Sequence, residues 1–163
     1  MTAHSMTIPS AFPSLADIAA DLRSGTTSSV DLTAECLQRI TSLDTQFTAF
    51  IAVYADEALA AAQQADADLA SGVDKGPLHG IPVALKDLFD MQGKPTTAGS
   101  PLLLTNEAQR DAEVVARLHK AGAIIVGKTH LVQFALGSCG TNEHMDSPRF
   151  PYVTADVTLA PGG

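Results

Sequence analysis

Lys86 is the residue whose position in the sequence best suits chemistry. It directly follows the apolar run 81–85, which predicts a buried strand. The stem of a lysine at the end of such a strand lies partly in the interior, where burial disfavours the charged ammonium form. Because a neutral amine can accept a proton, Lys86 is a candidate general base. The alternative, from these residues alone, is a solvated charge that marks where the strand leaves the core.

A second lysine, Lys128, lies in a segment that matches the phosphate-loop pattern G-x-x-x-x-G-K-T, over residues Gly122–Thr129. In a phosphate loop, the residues between the two glycines are exposed and their N–H groups face the phosphates. Here residues 123–126 are apolar and predict a buried strand, whose N–H groups bond within a sheet. A nucleotide-binding domain therefore stays an alternative interpretation, and the surrounding sequence disfavours it.

One loop contains four candidates for substrate binding: Gly137, Ser138, Cys139 and Asn142. The loop follows the predicted strand 123–126, and parallel sheets bind ligands beyond the carboxyl ends of their strands. Cys139 has the small neighbours of an exposed, activated thiol, but a small buried thiol in a tight loop fits the pattern better. Asn142 fits substrate contact and turn formation equally well.

The histidines and cysteines do not predict a metal site. None of the five histidines has a second ligand at the spacing typical of zinc. The two cysteines, Cys36 and Cys139, lie too far apart in the sequence to form a disulfide framework or a metal site on their own. We therefore predict no metal, no cofactor, and reduced thiols of the kind found in a cytoplasmic protein.

The composition limits the class of partner. The chain has 163 residues, of which 45% are hydrophobic and 17% are charged, as is typical of a soluble globular protein. Its net charge of −8 has the wrong sign for nucleic-acid binding driven by charge. The sequence contains no run of about eighteen apolar residues and no basic leader ahead of an apolar stretch. We expect neither a nucleic-acid partner nor a membrane span.

Helices and strands alternate along the chain and must hold the candidate residues in place. Periodicity and capping signals predict helices over 15–22, 28–43, 56–70 and 112–121, the last capped by Asp111, and strands over 47–53, 81–85 and 123–126. The last two strands and the helix between them form the βαβ pattern of a parallel sheet. The carboxyl edge of that sheet is expected to carry both Lys86 and Lys128.

Four blocks of the sequence resemble the N-terminal part of the amidase signature family. They occur in the family's order and spacing, and the similarity is strong from about residue 76 to residue 142. The blocks are GPLHGIPVALKD at 76–87, TTAGS at 96–100, DAEVV at 111–115 and AGAIIVGKT at 121–129. The resemblance implies an α/β fold class: the N-terminal portion of an α/β/α enzyme with a mixed, partly parallel sheet and N-terminal helices.

The same resemblance implies hydrolysis of carboxylic amides by a Ser–cis-Ser–Lys triad. Lys86 falls on the family's catalytic lysine, which takes a proton through a bridging serine while a second serine attacks the amide carbonyl and forms an acyl-enzyme. Lys128 falls on a strand end with a structural role. The implied partner is a small-molecule amide, without a cofactor, and homodimers are common in this family.

The final residues depart from the family pattern. The family's signature begins GGSSGGS, and the chain stops after its first two residues, Gly162 and Gly163. Both triad serines are therefore expected from a C-terminal remainder of the enzyme. Phe150 stands where the pattern has Asn, and Asp146 where it has Gly, which alters the preceding loop. A non-catalytic truncated fragment or partner subunit is the alternative interpretation.

Local composition, periodicity and the resemblance together divide the chain into three regions. We predict a flexible arm over 1–13, an N-terminal helical region over 14–72, and the first part of the amidase α/β core over 73–163, incomplete at the C-terminus. The amide that is cleaved stays open, because substrate choice in this family lies largely in the C-terminal half. Residues 140–145 are more similar to general amidases than to the tRNA-dependent subunit.

Overall fold

A computed structural model describes residues 13–137 and 139–149 of the chain. The helices are α1 (Leu15–Ser24), α2 (Ser29–Phe47), α3 (Ala55–Ala70) and α4 (Glu113–Lys120), and the strands are β1 (Phe50–Val53), β2 (Pro82–Lys86) and β3 (Ile124–Thr129). Single 3₁₀ turns occur at Pro101–Leu103 and Gln133–Ala135. The element order is the predicted one, whereas the predicted arm lies outside the described residues except for Pro13. Across the described ranges, no helix is both long and apolar enough to cross a membrane.

The three strands form one mixed sheet with the order β1-β3-β2. The central strand β3 is antiparallel to β1 and parallel to β2. The predicted mixed, partly parallel sheet is therefore confirmed, and β1 brings part of the region 14–72 into that sheet. The register pairs Leu85 with Lys128 and Lys86 with Thr129. Both lysines consequently lie at the same edge of the sheet.

Helices cover both faces of the central strand. On one face, alanines of α3 pack against Ile124 and Val126, and on the other face Val115 of α4 packs against Leu85 and Ile125. Successive side chains of a strand point to opposite faces, so a strand buried on both faces is apolar throughout. This is why the run 123–126 lacks the alternation of a half-exposed strand. The layers are α/β/α, as predicted.

Capping interactions set the ends of several helices. Ser14 and Asp17 form the capping box that begins α1, and Gly25, with φ of 73°, ends it as predicted. The prediction that Asp111 caps α4 is wrong: the N-cap is Ala112, and the Asp111 carboxylate accepts the N–H of Gln92 at 2.7 Å. A carboxylate placed before a helix can bond to another loop, and the local sequence does not distinguish the two outcomes.

The helix α2 continues one turn beyond its predicted end. The carboxylate of Asp44 accepts the backbone N–H of Ala49 at 2.7 Å, and the N–H of Thr48 bonds to the Asp44 carbonyl at 2.7 Å. Thr48 has a left-handed φ of 49°, which ends the helix. The first strand is therefore shorter than the predicted range 47–53.

A side-chain bridge fixes the start of β2 relative to the helices. The Asp66 carboxylate on α3 accepts the N–H groups of Ser29 at 2.7 Å and Val30 at 3.1 Å, at the N-terminus of α2. The hydroxyl of Ser29 is buried and donates to the Gly80 carbonyl at 2.7 Å. An anion at a helix N-terminus is favourable because the free N–H groups point toward it. This bridge connects both helices to the chain that enters β2 and leads to Lys86.

Candidate active site

Lys86 is the last residue of β2 and is half-buried at the carboxyl end of the parallel strand pair. The chain turns immediately after it, because the N–H groups of Leu88 and Phe89 both bond to the Lys86 carbonyl, at 2.7 and 3.1 Å. Its amine forms no hydrogen bond or ion pair with the part of the chain that the structure describes. The predicted location at the sheet edge is confirmed, and the amine is available to groups outside that part.

Asp87, the next residue, is held at each polar group of its backbone. Its N–H donates to the Thr129 carbonyl at 3.1 Å, and its carbonyl accepts the N–H of Ala98 at 3.0 Å. One carboxylate oxygen, Oδ2, accepts both the N–H and the hydroxyl of Thr97. The side chain is only 1% exposed. The residue that follows Lys86 is therefore fixed to β3 and to the loop 95–100.

The buried lysine at this edge is Lys128, with 1% exposure. Its Nζ donates to the Pro95 carbonyl at 2.7 Å and to the Thr96 hydroxyl at 2.8 Å. The same Nζ lies 3.0 Å from Oδ1 of Asp87, in an ion pair whose angles are not those of a hydrogen bond. The prediction placed Lys128 at a structural strand end, and the structure adds a buried anionic partner. Sequence reasoning missed the role of Asp87, whose only signal was an acid directly after the lysine that ends an apolar strand.

The phosphate-loop interpretation does not fit the observed backbone. Residues Ile124–Thr129 form the central strand, with β1 paired on one side and β2 on the other. The first five residues of this strand are all buried. Its N–H groups face neighbouring strands and are not free to cradle a phosphate.

The loop 95–100 approaches two other segments closely. Ala98 and Gly99 both have left-handed φ values, 49° and 69°. A Cβ on Gly99 would lie 2.7 Å from the Leu131 carbonyl oxygen and 2.9 Å from the Asn142 amide nitrogen. Only a glycine leaves space for this contact. The loop therefore depends on Gly99 for both its conformation and its packing.

Asn142 is 6% exposed and joins three segments of backbone. Its Nδ2 donates to the carbonyls of Gly99 at 2.6 Å and Leu131 at 3.0 Å. Its Oδ1 accepts the N–H groups of His144 and Met145, each at 3.0 Å. The side chain thus uses both of its polar atoms to hold the loops, the turn-forming role that the sequence offered as one of two options.

A groove forms around Asn142, and its described lining includes neither Gly137 nor Cys139. Gly137 and Cys139 are exposed, while Ser138 lies outside the described residues. The exposure of Cys139 contradicts the interpretation as a buried thiol. The groove has a volume of about 340 Å³ and is lined by residues 132–134, 136 and 141–144. Phe134 in its wall has an unfavourable φ of 53° and donates its N–H to the Ala98 carbonyl at 2.7 Å.

Two polar side chains near the strand ends were missed by the sequence analysis. The hydroxyl of Tyr54 is buried without a hydrogen-bond partner within the described ranges. Desolvation, together with the negative charges of Asp87 and Glu57, raises the pKa of Tyr54 to about 12. His130 directly follows β3, and burial lowers its pKa, although three aspartates oppose this shift. Neither position has a recognisable sequence motif, because only the tertiary packing buries these groups.

The comparisons with known proteins agree on one family. The family model described as Amidase matches residues 31–163. The chain is 43% identical over 150 residues to a glutamyl-tRNA(Gln) amidotransferase subunit of Thermobifida fusca, covering 92% of this chain and 30% of that protein. It is 47% identical over 123 residues to an amidase of Pseudomonas putida, covering 76% of this chain and 26% of that protein.

The fold is similar to that of solved amidases. The native peptide amidase of Stenotrophomonas maltophilia superposes with a TM-score of 0.80 at 35% identity, over 89% of this chain and 31% of that one. The chain thus spans about 30% of the length of the curated relatives and solved structures that it matches. Sequence blocks, layered fold and solved relatives lead to the same conclusion: the chain belongs to the amidase family.

Proposed function

We propose that the protein hydrolyses the C–N bond of a carboxylic amide, with Lys86 as the catalytic lysine of a Ser–cis-Ser–Lys triad. The observation that carries this proposal is the position of Lys86 within the sequence block 76–87, at the carboxyl edge of the sheet, with its amine unpaired by the described residues. Family membership supports the amide chemistry. The two serines are supplied by the C-terminal remainder, beyond residue 163.

In this mechanism, the amine of Lys86 accepts a proton from the bridging serine. The bridging serine in turn takes the proton of the nucleophilic serine, whose oxygen attacks the amide carbonyl. The proton returns to the leaving nitrogen as the C–N bond breaks. Water then attacks the acyl-enzyme, and the same residues move its proton back to the serine. Residues 1–163 contribute the base and the sheet edge that holds it.

The substrate is a small-molecule amide that binds beyond the same sheet edge. The groove lined by residues 132–134, 136 and 141–144 supports this placement, since it includes Asn142, one of the predicted contacts. Asn142 acts there by holding the backbone of the loops. Exposed apolar side chains at the same end, Leu102 and Leu136, both 82% exposed, are suited to contact with the C-terminal remainder.

Amide hydrolysis by the full-length protein tests the proposal. Lys86→Ala is expected to abolish release of ammonia or amine from simple aliphatic and aryl amides. Lys120→Ala, which removes an exposed lysine at the end of α4, is the matched control and is expected to leave the rate unchanged. Full activity in Lys86→Ala would refute the role of this lysine. Hydrolysis by residues 1–163 alone, lost in Lys86→Ala, would refute the need for the serines of the remainder.

A further inference from the structure

We propose that Lys128 is a positioning residue for Lys86, and that it acts through the buried carboxylate of Asp87. The inference rests on the proposed function, because it takes Lys86 as the catalytic lysine. Lys128 would thus be a second lysine of the site. It would not contact the reacting atoms but would hold the end of β2, which carries the catalytic Lys86.

The charges of Lys128 and Asp87 are isolated from water. Lys128 and Asp87 are each 1% exposed, and their charged groups lie 3.0 Å apart. A buried charge persists only where it is paired and hydrogen-bonded. The ammonium has three N–H groups; the carbonyl of Pro95 and the hydroxyl of Thr96 each accept one of them. Lys128 therefore joins the strand end to the loop 95–100 by contacts that water does not replace.

Asp87 connects this ion pair to Lys86. Asp87 follows Lys86 directly, and its backbone and side chain are bound to Thr129, Ala98, Thr97 and Lys128. The backbone of Lys86 therefore cannot rotate at its carbonyl end without breaking several buried bonds. The lysine stem itself has four flexible carbons, so fixing its backbone is the main control that the fold has over the amine.

Proton transfer to Lys86 is sensitive to distance. A general base must lie within about 2.6–3.2 Å of the group whose proton it takes. A displacement of about 1 Å costs about 10²-fold in rate. Movement of the strand end after loss of Lys128 is therefore expected to affect the chemical step more than substrate binding. A role in stability alone predicts no such selective effect.

Competitive labelling of lysines provides a readout that does not depend on activity. The full chain is labelled with trace acetic anhydride, and the rate at Lys86 is measured by mass spectrometry relative to the exposed Lys120 in the same sample. Lys128→Met is expected to change this ratio by about threefold or more, since the rate follows the environment of the amine. An unchanged ratio in folded Lys128→Met overturns the inference.

The matched control separates position from stability. Val115 is fully buried in α4 against Leu85 and Ile125, so Val115→Ala weakens the same core without touching the ion pair. It is expected to leave the Lys86 ratio unchanged, and an equal change there would also overturn the inference. Where Lys128→Met does not fold, Asp87→Asn/Lys128→Met removes both charges and is measured in the same way. An unchanged ratio in the double variant overturns the inference as well.

Kinetics of the full-length protein distinguish this inference from the proposed function. Lys128→Met is expected to lower kcat by about tenfold or more, with a smaller effect on KM. If Lys86→Ala remains active, the proposed function fails, whatever the labelling ratio shows. If Lys86→Ala is inactive while Lys128→Met keeps both its kcat and its ratio, only the positioning role fails.

Discussion

Replacement of Gly99 by alanine tests a close backbone approach in the candidate site. The new Cβ would lie 2.7 Å from the carbonyl oxygen of Leu131 and 2.9 Å from the amide nitrogen of Asn142. The first of these atoms belongs to the backbone and cannot rotate away. The loop 95–100 must therefore separate from the segment after β3, or Asn142 must release its bond to the Gly99 carbonyl.

The cost can be worked from three contributions. A left-handed φ of 69° costs an alanine about 1–2 kcal/mol. Overpacking against a fixed backbone atom costs about 1–3 kcal/mol. Loss of one buried hydrogen bond of Asn142 costs about 1 kcal/mol. We expect Gly99→Ala to lower the free energy of unfolding by about 3–5 kcal/mol, since these contributions overlap only in part.

Gly93 provides the control for backbone strain. Its φ of 73° is nearly the same, but a Cβ there would meet nothing within 4 Å. Gly93→Ala should therefore cost only the strain, about 1–2 kcal/mol. Urea unfolding of both variants of the full chain, followed by circular dichroism, measures the difference between them. Equal losses of stability would refute the close packing of Gly99 against Leu131 and Asn142.

Three further predictions concern buried charges and a helix cap. Lys128→Met is expected to lower the free energy of unfolding by about 3–5 kcal/mol, because it leaves the Asp87 carboxylate unpaired. Adding Asp87→Asn should recover part of this loss in a double-mutant cycle of unfolding free energies. A fully additive cycle would contradict the ion pair. Asp66→Ala should cost about 1 kcal/mol by removing the bonds to the N-terminus of α2, and no loss in thermal unfolding would contradict that bridge. His79 lies in the turn before β2 and is fully buried. Burial lowers the pKa of its imidazole below the ordinary 6.5, so stability should be full above that pH and fall as the pH drops below it, less steeply in His79→Gln. Equal slopes in urea unfolding would contradict this effect.

Much of the fold could be predicted because its signals are local. The capping residues Ser14 and Gly25 bound α1, and the uninterrupted apolar run 123–126 identified a strand buried on both faces. The position of Lys86 followed from the strand before it and from the general placement of sites at the carboxyl ends of parallel strands. These inferences need only neighbouring residues and the βαβ pattern of a parallel sheet.

The features that the sequence did not predict depend on contacts between residues far apart in the chain. Nothing near Asp87 indicates that its partner is Lys128, because the pair forms only once β2 and β3 align. The same holds for Asp111, whose carboxylate bonds to the loop at Gln92 instead of capping α4. The polar bonds of Asn142 likewise come from three segments that only the tertiary fold brings together. Local patterns place such residues on a strand, helix or loop and leave their partners undetermined.

The position of β3 at the centre of the sheet has a consequence for synthesis on the ribosome. Both β1 and β2 precede β3 in the chain, yet each pairs with β3 and they do not pair with one another. Neither strand can gain its sheet hydrogen bonds until residues 124–129 have left the exit tunnel. The helices α1 to α3 consist of local contacts and can form early, whereas the sheet edge that carries Lys86 must assemble late.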